Sequence, residues 1–145
     1  MEDVRLLFQQ IYKQFGMLNK NCCTVGGQDV SLIQSQILYE IDRQHQPSMQ
    51  QIAHSLGLDI TAFSHQIQTL VRKNLVAKKP SETDKRVSIL YLTTEGKFVA
   101  TVIDQQVNGY LTQIFEGISD KDKENVIQGL RILNDSMKKV PVCCR

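Results

Sequence analysis

The stretch from Asp59 to Gly96 leaves the chain little freedom of fold. Ile60, Phe63, Ile67, Leu70 and Val71 recur at helical spacing behind Asp59, whose carboxylate can cap the first turn. Asn74 follows, a residue that tolerates the left-handed backbone with which many helices end. Leu75 to Lys79 and Val87 to Leu92 then read as strands, with Val87, Ile89 and Tyr91 alternating against Ser88, Leu90 and Leu92. Between them lies the polar tip SETDKR, and Thr93 opens another helix. Upstream, PSMQQIAHSLG makes a short helix: Ser48 and Gln51 have capping-box spacing, Ile52, Ala53 and Leu56 point inward, and Gly57 suits the left-handed stop. The order is helix, turn, helix and a two-stranded wing.

The flanks are helical too. From about Glu2 to Lys20 the apolar positions Val4, Leu7, Phe8, Ile11, Tyr12, Phe15 and Leu18 follow the helical period. Asn21 to Gly27 breaks that pattern and ends in Gly26-Gly27. Ser31 with Gln34 repeats the capping box, and Ile33, Ile37, Leu38 and Ile41 give the next helix its inner face. The helix opened by Thr93 runs to about Phe115 with Phe98, Val99, Val102, Ile103, Val107, Tyr110, Leu111 and Ile114 inward. Ser119 caps a last helix bearing Val126, Ile127, Leu130, Leu133 and Met137. The fold class expected is mainly α with a small β-wing: one domain over 1–145, with a winged helix-turn-helix lobe over 31–93.

Composition narrows the function. A chain of 145 residues with 41% hydrophobic and 22% charged residues can bury its own core and is no disordered polyion. Its net charge is only +2, so any affinity for nucleic acid must come from local clustering. Apolar runs such as Val87 to Leu92 are far too short for a bilayer, and the start MEDVRLL is no signal peptide. A cytoplasmic protein without membrane partners is expected, and there its four cysteines stay mostly reduced.

Removing the inward stripe from the helix after Asp59 leaves Thr61, Ala62, Ser64, His65, Gln66, Gln68, Thr69 and Arg72. Ser, Thr and Gln can hydrogen-bond base edges, and a small Ala permits close approach near a thymine methyl. Read alone, this face is equally consistent with a solvated surface. The wing shifts the balance. Lys78, Lys79, Lys85 and Arg86 cluster there against only Glu82 and Asp84. Arg86 can enter a narrow minor groove, where the negative potential is deepest, and Asp84 can hold its guanidinium through paired hydrogen bonds. A double-stranded DNA interface is therefore expected over these residues.

With the element order, the wing residues Thr83-Asp84-Lys85-Arg86 and the run Leu92-Thr93-Thr94-Glu95-Gly96, the chain resembles the MarR-type (multiple antibiotic resistance regulator) winged-helix family. That family carries Asp-x-Arg in its wing and opens its long dimerisation helix with Leu-Thr-x-x-Gly. Two positions depart from the family pattern: Asn74 stands where Gly is usual, and His65 where a longer basic residue is common. The apolar helices at both ends admit a thick monomeric core or a two-fold dimer. The resemblance implies the dimer, with 1–20 and 94–139 as dimerisation helices and a palindromic operator as partner.

Cys22-Cys23 follows the first helix and Cys143-Cys144 lies on the C-terminal tail. Such thiols are often bystanders. Two vicinal pairs can also offer thiolates to a soft metalloid or metal ion, or one attacking and one resolving thiol to an oxidant or electrophile. Adjacent cysteines make a poor mutual disulfide, and the spacing fits no zinc motif. Lys20 near Cys22 and Arg145 beside Cys144 favour thiolate character. No cofactor is otherwise required.

The function expected is a homodimeric transcriptional repressor released from its operator by a signal. That signal is either thiol chemistry at Cys22 and Cys23, with the C-terminal pair, or a small lipophilic ligand between the lobes with the cysteines as bystanders. An enzyme is disfavoured, because no Ser-His-Asp order, phosphate loop or HExxH helix is present. A winged helix used for protein docking would carry an apolar or acidic outer face, and this one is neither.

Overall fold

The computed structural model describes residues 2–22, 24–25 and 27–141, with the side chains of 17–22 and 24 outside the description. In chain order the elements are α1 (Val4–Cys22), β1 (Thr24–Val25), β2 (Gln28–Asp29), α2 (Leu32–Arg43), α3 (Met49–Ser55), α4 (Ile60–Arg72), β3 (Val76–Pro80), β4 (Ser88–Leu92), α5 (Thr94–Glu116) and α6 (Asp120–Lys139). Two compact units result, Met1–Val107 and Asn108–Arg145. Among the described residues no helix is long and apolar enough to cross a membrane.

Local chemistry sets the helix ends of the first unit. Ser31 and Ser48 form reciprocal capping boxes with Gln34 and Gln51, and Asp59 accepts from the Ala62 amide at 2.9 Å. At their C-terminal ends α3 and α4 stop alike. Gly57 (φ 66°) and Asn74 (φ 60°) take the left-handed conformation. The next amide reaches back five residues, Leu58 to the Ala53 carbonyl and Leu75 to the Leu70 carbonyl. Leu70 and Leu75, both fully buried, cover the second of these turns. Asn74 thus supplies the conformation that Gly supplies at Gly57.

The core of this unit joins Ile37, Leu38 and Ile41 of α2, Ile52 of α3, Phe63, Ile67 and Leu70 of α4, Leu90 and Leu92 of β4, and Val99 and Ile103 of α5. β3 and β4 pair antiparallel from Val76–Leu92 to Pro80–Ser88. The loop before α3 extends this sheet: Leu90 donates to the Pro47 carbonyl at 2.9 Å, and Ser48 bridges to Ile89. That third contact buries Ile89 on the face opposite Leu90, so the wing does not follow the simple alternation expected of it. Ile60 and Val71, expected inward, are 47% and 40% exposed because they sit on the edge of the α4 stripe. The segment expected as a plain break contains the small β1–β2 hairpin, Thr24 opposite Asp29.

In the second unit Ser119 caps α6 through the Asp122 amide, and the Lys123 ammonium lies over the Phe115 ring at 5.5 Å. No residue of α6 is buried. Val126, Leu130, Ile132 and Met137 are 42–61% exposed, as are the α1 residues Val4, Phe8 and Ile11 at 43–62%.

Candidate nucleic-acid interface

Because Phe63, Ile67 and Leu70 are fully buried, the opposite face of α4 is fixed in direction. Thr61, Ala62, His65, Gln68 and Arg72 are exposed on it, and Ser64 is half-buried at its margin. Three of the sequence-predicted residues of α4 are engaged within the protein. Gln66 accepts at its Oε1 from Gln34 Nε2 at 3.1 Å, and Thr69 Oγ1 donates to the His65 carbonyl at 3.2 Å. Arg72 Nε donates to the Gln68 carbonyl at 3.4 Å, which draws its guanidinium back along the helix.

The wing tip is organised by Asp84. Its Oδ1 accepts from the Arg86 amide at 3.0 Å and from Arg86 Nε at 3.1 Å, and its Oδ2 accepts from Nη2 at 3.3 Å. Its carbonyl accepts from the Val87 amide at 2.9 Å. Ser81 and Thr83 bond through their hydroxyls at 3.0 Å on the other limb of the turn. The Arg86 side chain nevertheless remains 91% exposed. Hydrogen bonds from the Arg86 side chain and then its backbone amide hold the Asp84 carboxyl below its ordinary value. The result is an aimed, solvent-facing cation. Lys78, Lys79 and Lys85 are exposed beside it, with the Lys79 ammonium over the Tyr91 ring at 5.7 Å.

Behind this face of α4 lie contacts that local sequence patterns do not give. Thr93 Oγ1 donates to the Asn74 carbonyl at 2.7 Å and accepts from the Gly96 amide at 2.9 Å, so it ties the end of α4 to the start of α5. Gln28 Nε2 donates to the Lys73 carbonyl at 3.3 Å and to Glu95 Oε1 at 2.9 Å, while Lys73 Nζ donates to the Asp29 carbonyl. These partners stand far apart in sequence, and only the turn chemistry of Thr93 could have announced one of them. A cleft of about 240 Å³ is lined by Ile41, Pro47, Ile89 and Tyr91, with Asp42, Lys79 and Lys97 at polar positions.

Of the candidate thiols, Cys23, Cys143 and Cys144 lie outside the described residues. Cys22 is the last residue of α1, and its side chain is likewise outside the description. Among the described residues no group of three or more His, Cys, Asp or Glu could hold a metal ion.

Residues 28–87 match the family model described as MarR family. A search of curated protein sequences gave no match. Solved structures resemble the chain closely in fold at low identity. FabT of Streptococcus pneumoniae in complex with DNA aligns with a TM-score of 0.86 at 18% identity, covering 95% of this chain and 97% of that one. The MepR–DNA complex of S. aureus gives 0.79 at 18% identity, covering 94% and 99%. PcaV from Streptomyces coelicolor in complex with its natural ligand gives 0.75 at 17% identity, also covering 94% and 99%.

Proposed function

We propose that the protein, whose residues 28–87 match the MarR family model, is a homodimeric transcriptional repressor of a palindromic operator. The observation that carries the reading is the Asp84–Arg86 pair. It holds an almost fully exposed guanidinium at the wing tip, on the same lobe as the polar face of α4. In this role α4 lies in the major groove, where Thr61, Ser64, His65 and Gln68 address base edges, and Arg86 enters the adjacent minor groove. Lys78, Lys79 and Lys85 supply phosphate contacts, which position the wing without reading sequence. The DNA complexes formed by FabT and MepR support this placement.

A second copy of the chain covers the exposed apolar faces of α1 and α6. A helix such as α6, with no residue buried by its own chain, gains its packing energy from a partner. Each large apolar side chain so covered, about half exposed in the single chain, contributes roughly half of the 1.5–3 kcal/mol of a full burial. Two-fold symmetry then presents two α4 helices to two half-sites, one helical turn apart. An enzymatic role does not belong to this reading.

Release from DNA follows a signal that favours the arrangement of the dimer with lower operator affinity. Two routes fit. One is thiol chemistry at Cys22 and Cys23; Cys22 is the last residue of α1 and precedes in sequence the β1–β2 hairpin, whose Gln28 side chain and Asp29 carbonyl bond Lys73. A small ligand is the alternative, supported by the ligand-bound structure of PcaV. The experiment for the function itself is a gel-shift with duplexes obtained by in-vitro selection, across a salt series. Tight, salt-dependent binding to a palindrome supports it; equal and weak binding to every duplex refutes it.

A further inference from the structure

Among the described residues the buried polar side chains are Gln34 and Ser48. Ser48 completes its own capping box. Gln34, only 8% exposed, does more. Its Oε1 accepts from the Ser31 amide at 3.1 Å, and its Nε2 donates to Gln66 Oε1 at 3.1 Å. One amide thus joins the cap of α2 to the flank of α4.

The polarity of this chain of bonds is not arbitrary. A backbone N–H can only donate, so the Ser31 amide requires an oxygen at Gln34. That requirement turns the Gln34 amide so that its nitrogen faces α4, and a nitrogen can only donate. Gln66 must therefore meet it with oxygen. The remaining end of the Gln66 side chain is its N–H2 group, and among the described residues no protein group accepts from it.

We propose that Gln66 addresses DNA through its N–H2 donors, and that Gln34 is the positioning residue that fixes this polarity by turning the Gln66 oxygen towards α2. The inference rests on the DNA-binding reading above and deepens it. A freely turning glutamine can bond adenine through N6 and N7 at once, acting as donor and acceptor together. Gln66 is not free to turn: Gln34 engages one lone pair of its oxygen and holds that end towards α2, which leaves the N–H2 group as the end without a protein partner. Its partner is an acceptor: a guanine O6 or N7, an adenine N7, a thymine O4 or a phosphate oxygen.

The variant Gln34→Glu inverts the polarity with almost no change of shape. Glutamate still accepts the Ser31 amide and is a favoured capping-box residue at this position. Both of its oxygens accept, so Gln66 must turn its nitrogen inward and present oxygen to DNA. The test compares parent, Gln34→Glu and Gln66→Ala on selected operators with every base pair changed in turn, and with single phosphates replaced by neutral methylphosphonates.

If the partner is a base, Gln66→Ala costs about fivefold at one base pair. Gln34→Glu then shifts the preference at that same pair towards cytosine or adenine, whose amino groups donate. If the partner is a phosphate, both variants lose affinity on all sequences alike, and one methylphosphonate removes the difference between them and the parent. Equal affinity and preference of Gln34→Glu and parent overturns the proposal, as does a Gln66→Ala variant indistinguishable on every duplex. A parent that binds no duplex overturns the DNA-binding reading as well, so the two failures are distinct. Side-chain amide exchange by NMR supplies a check on the unmutated protein. The Gln34 N–H2 should be protected and the Gln66 N–H2 should exchange at the solvent rate; the reverse pattern also overturns the assignment.

Discussion

Gly96 lies so close to the carbonyl of Leu75 that no β-carbon fits between them. One built there would overlap the Leu75 oxygen and stand 2.9 Å from its carbonyl carbon. The same Leu75 carbonyl accepts from the Thr93 amide at 3.1 Å. The Leu-Thr-x-x-Gly run at 92–96 is therefore a docking device. Thr93 bonds the turn after α4 at Asn74 and Leu75, and Gly96 lets α5 begin against Leu75, three residues beyond the helix.

Gly96→Ala should destabilise the protein. Helix propensity alone favours alanine by about 1 kcal/mol. The clash here is with backbone, which cannot rotate away, and it outweighs that gain. A net loss of roughly 1–3 kcal/mol is expected, read as a lower denaturant midpoint with unchanged slope. A midpoint at or above that of the parent would show that α5 can shift without cost.

Arg86→Ala should weaken operator binding and reduce the slope of log affinity against log salt by about one ion. Folding should be unaffected, because the pair is at the surface. An unchanged slope would place Arg86 outside the interface.

Asp84 gives a pH prediction. Its carboxyl is held low by Arg86, so the charged form favours the ordered wing. That contribution is complete above the ordinary carboxylate range and is lost only as pH falls through the lowered value of the folded state. Between pH 8 and 5 the pair should contribute no pH dependence to DNA binding. Asp84→Asn should lower affinity equally throughout that interval; a loss confined to its acid end would contradict the assignment.

On α4, alanine at Thr61, Ser64, His65 or Gln68 should relax preference at individual base pairs by roughly 1–3 kcal/mol. Competition between operators that differ by one pair measures this. Uniform weakening across sequences would reassign the residue to a phosphate.

Leu133→Glu places a charge on the apolar face of α6, where Leu133 is 37% exposed in the single chain. Burying it against a second copy without a partner charge is costly. Sedimentation should show a monomer with reduced operator affinity. A variant that remains dimeric would move the interface elsewhere.

Much of the fold could be read because helix ends announce themselves locally. Ser31, Ser48, Asp59 and Ser119 are cap residues with partners three positions on, and Asn74 and Gly57 end helices through their own backbone freedom. What escaped reading depends on contacts across the chain. The β1–β2 strands are two residues each, too short for alternation to register. Ile89 is buried by Pro47 and Ser48, more than forty positions away. The direction of the α4 face followed from its apolar stripe, yet that Gln66 is already bonded depends on Gln34, thirty-two positions upstream.

The grip of the β1–β2 hairpin on Lys73, with Gln28 also reaching Glu95, makes α4 a lever pivoted at its C-terminal end. The residues proposed to address bases lie mostly in the other half, and Thr61 stands about 18 Å from Lys73 at 1.5 Å of rise per residue. A tilt of only about 5° at the pivot therefore displaces Thr61 by about 1.6 Å. Hydrogen bonds to base edges tolerate a few tenths of an ångström, whereas phosphate attraction falls off gently with distance. A small rotation at the hairpin would erase sequence discrimination before it erased attraction to DNA. The protein would then come off its operator while still able to slide along the duplex.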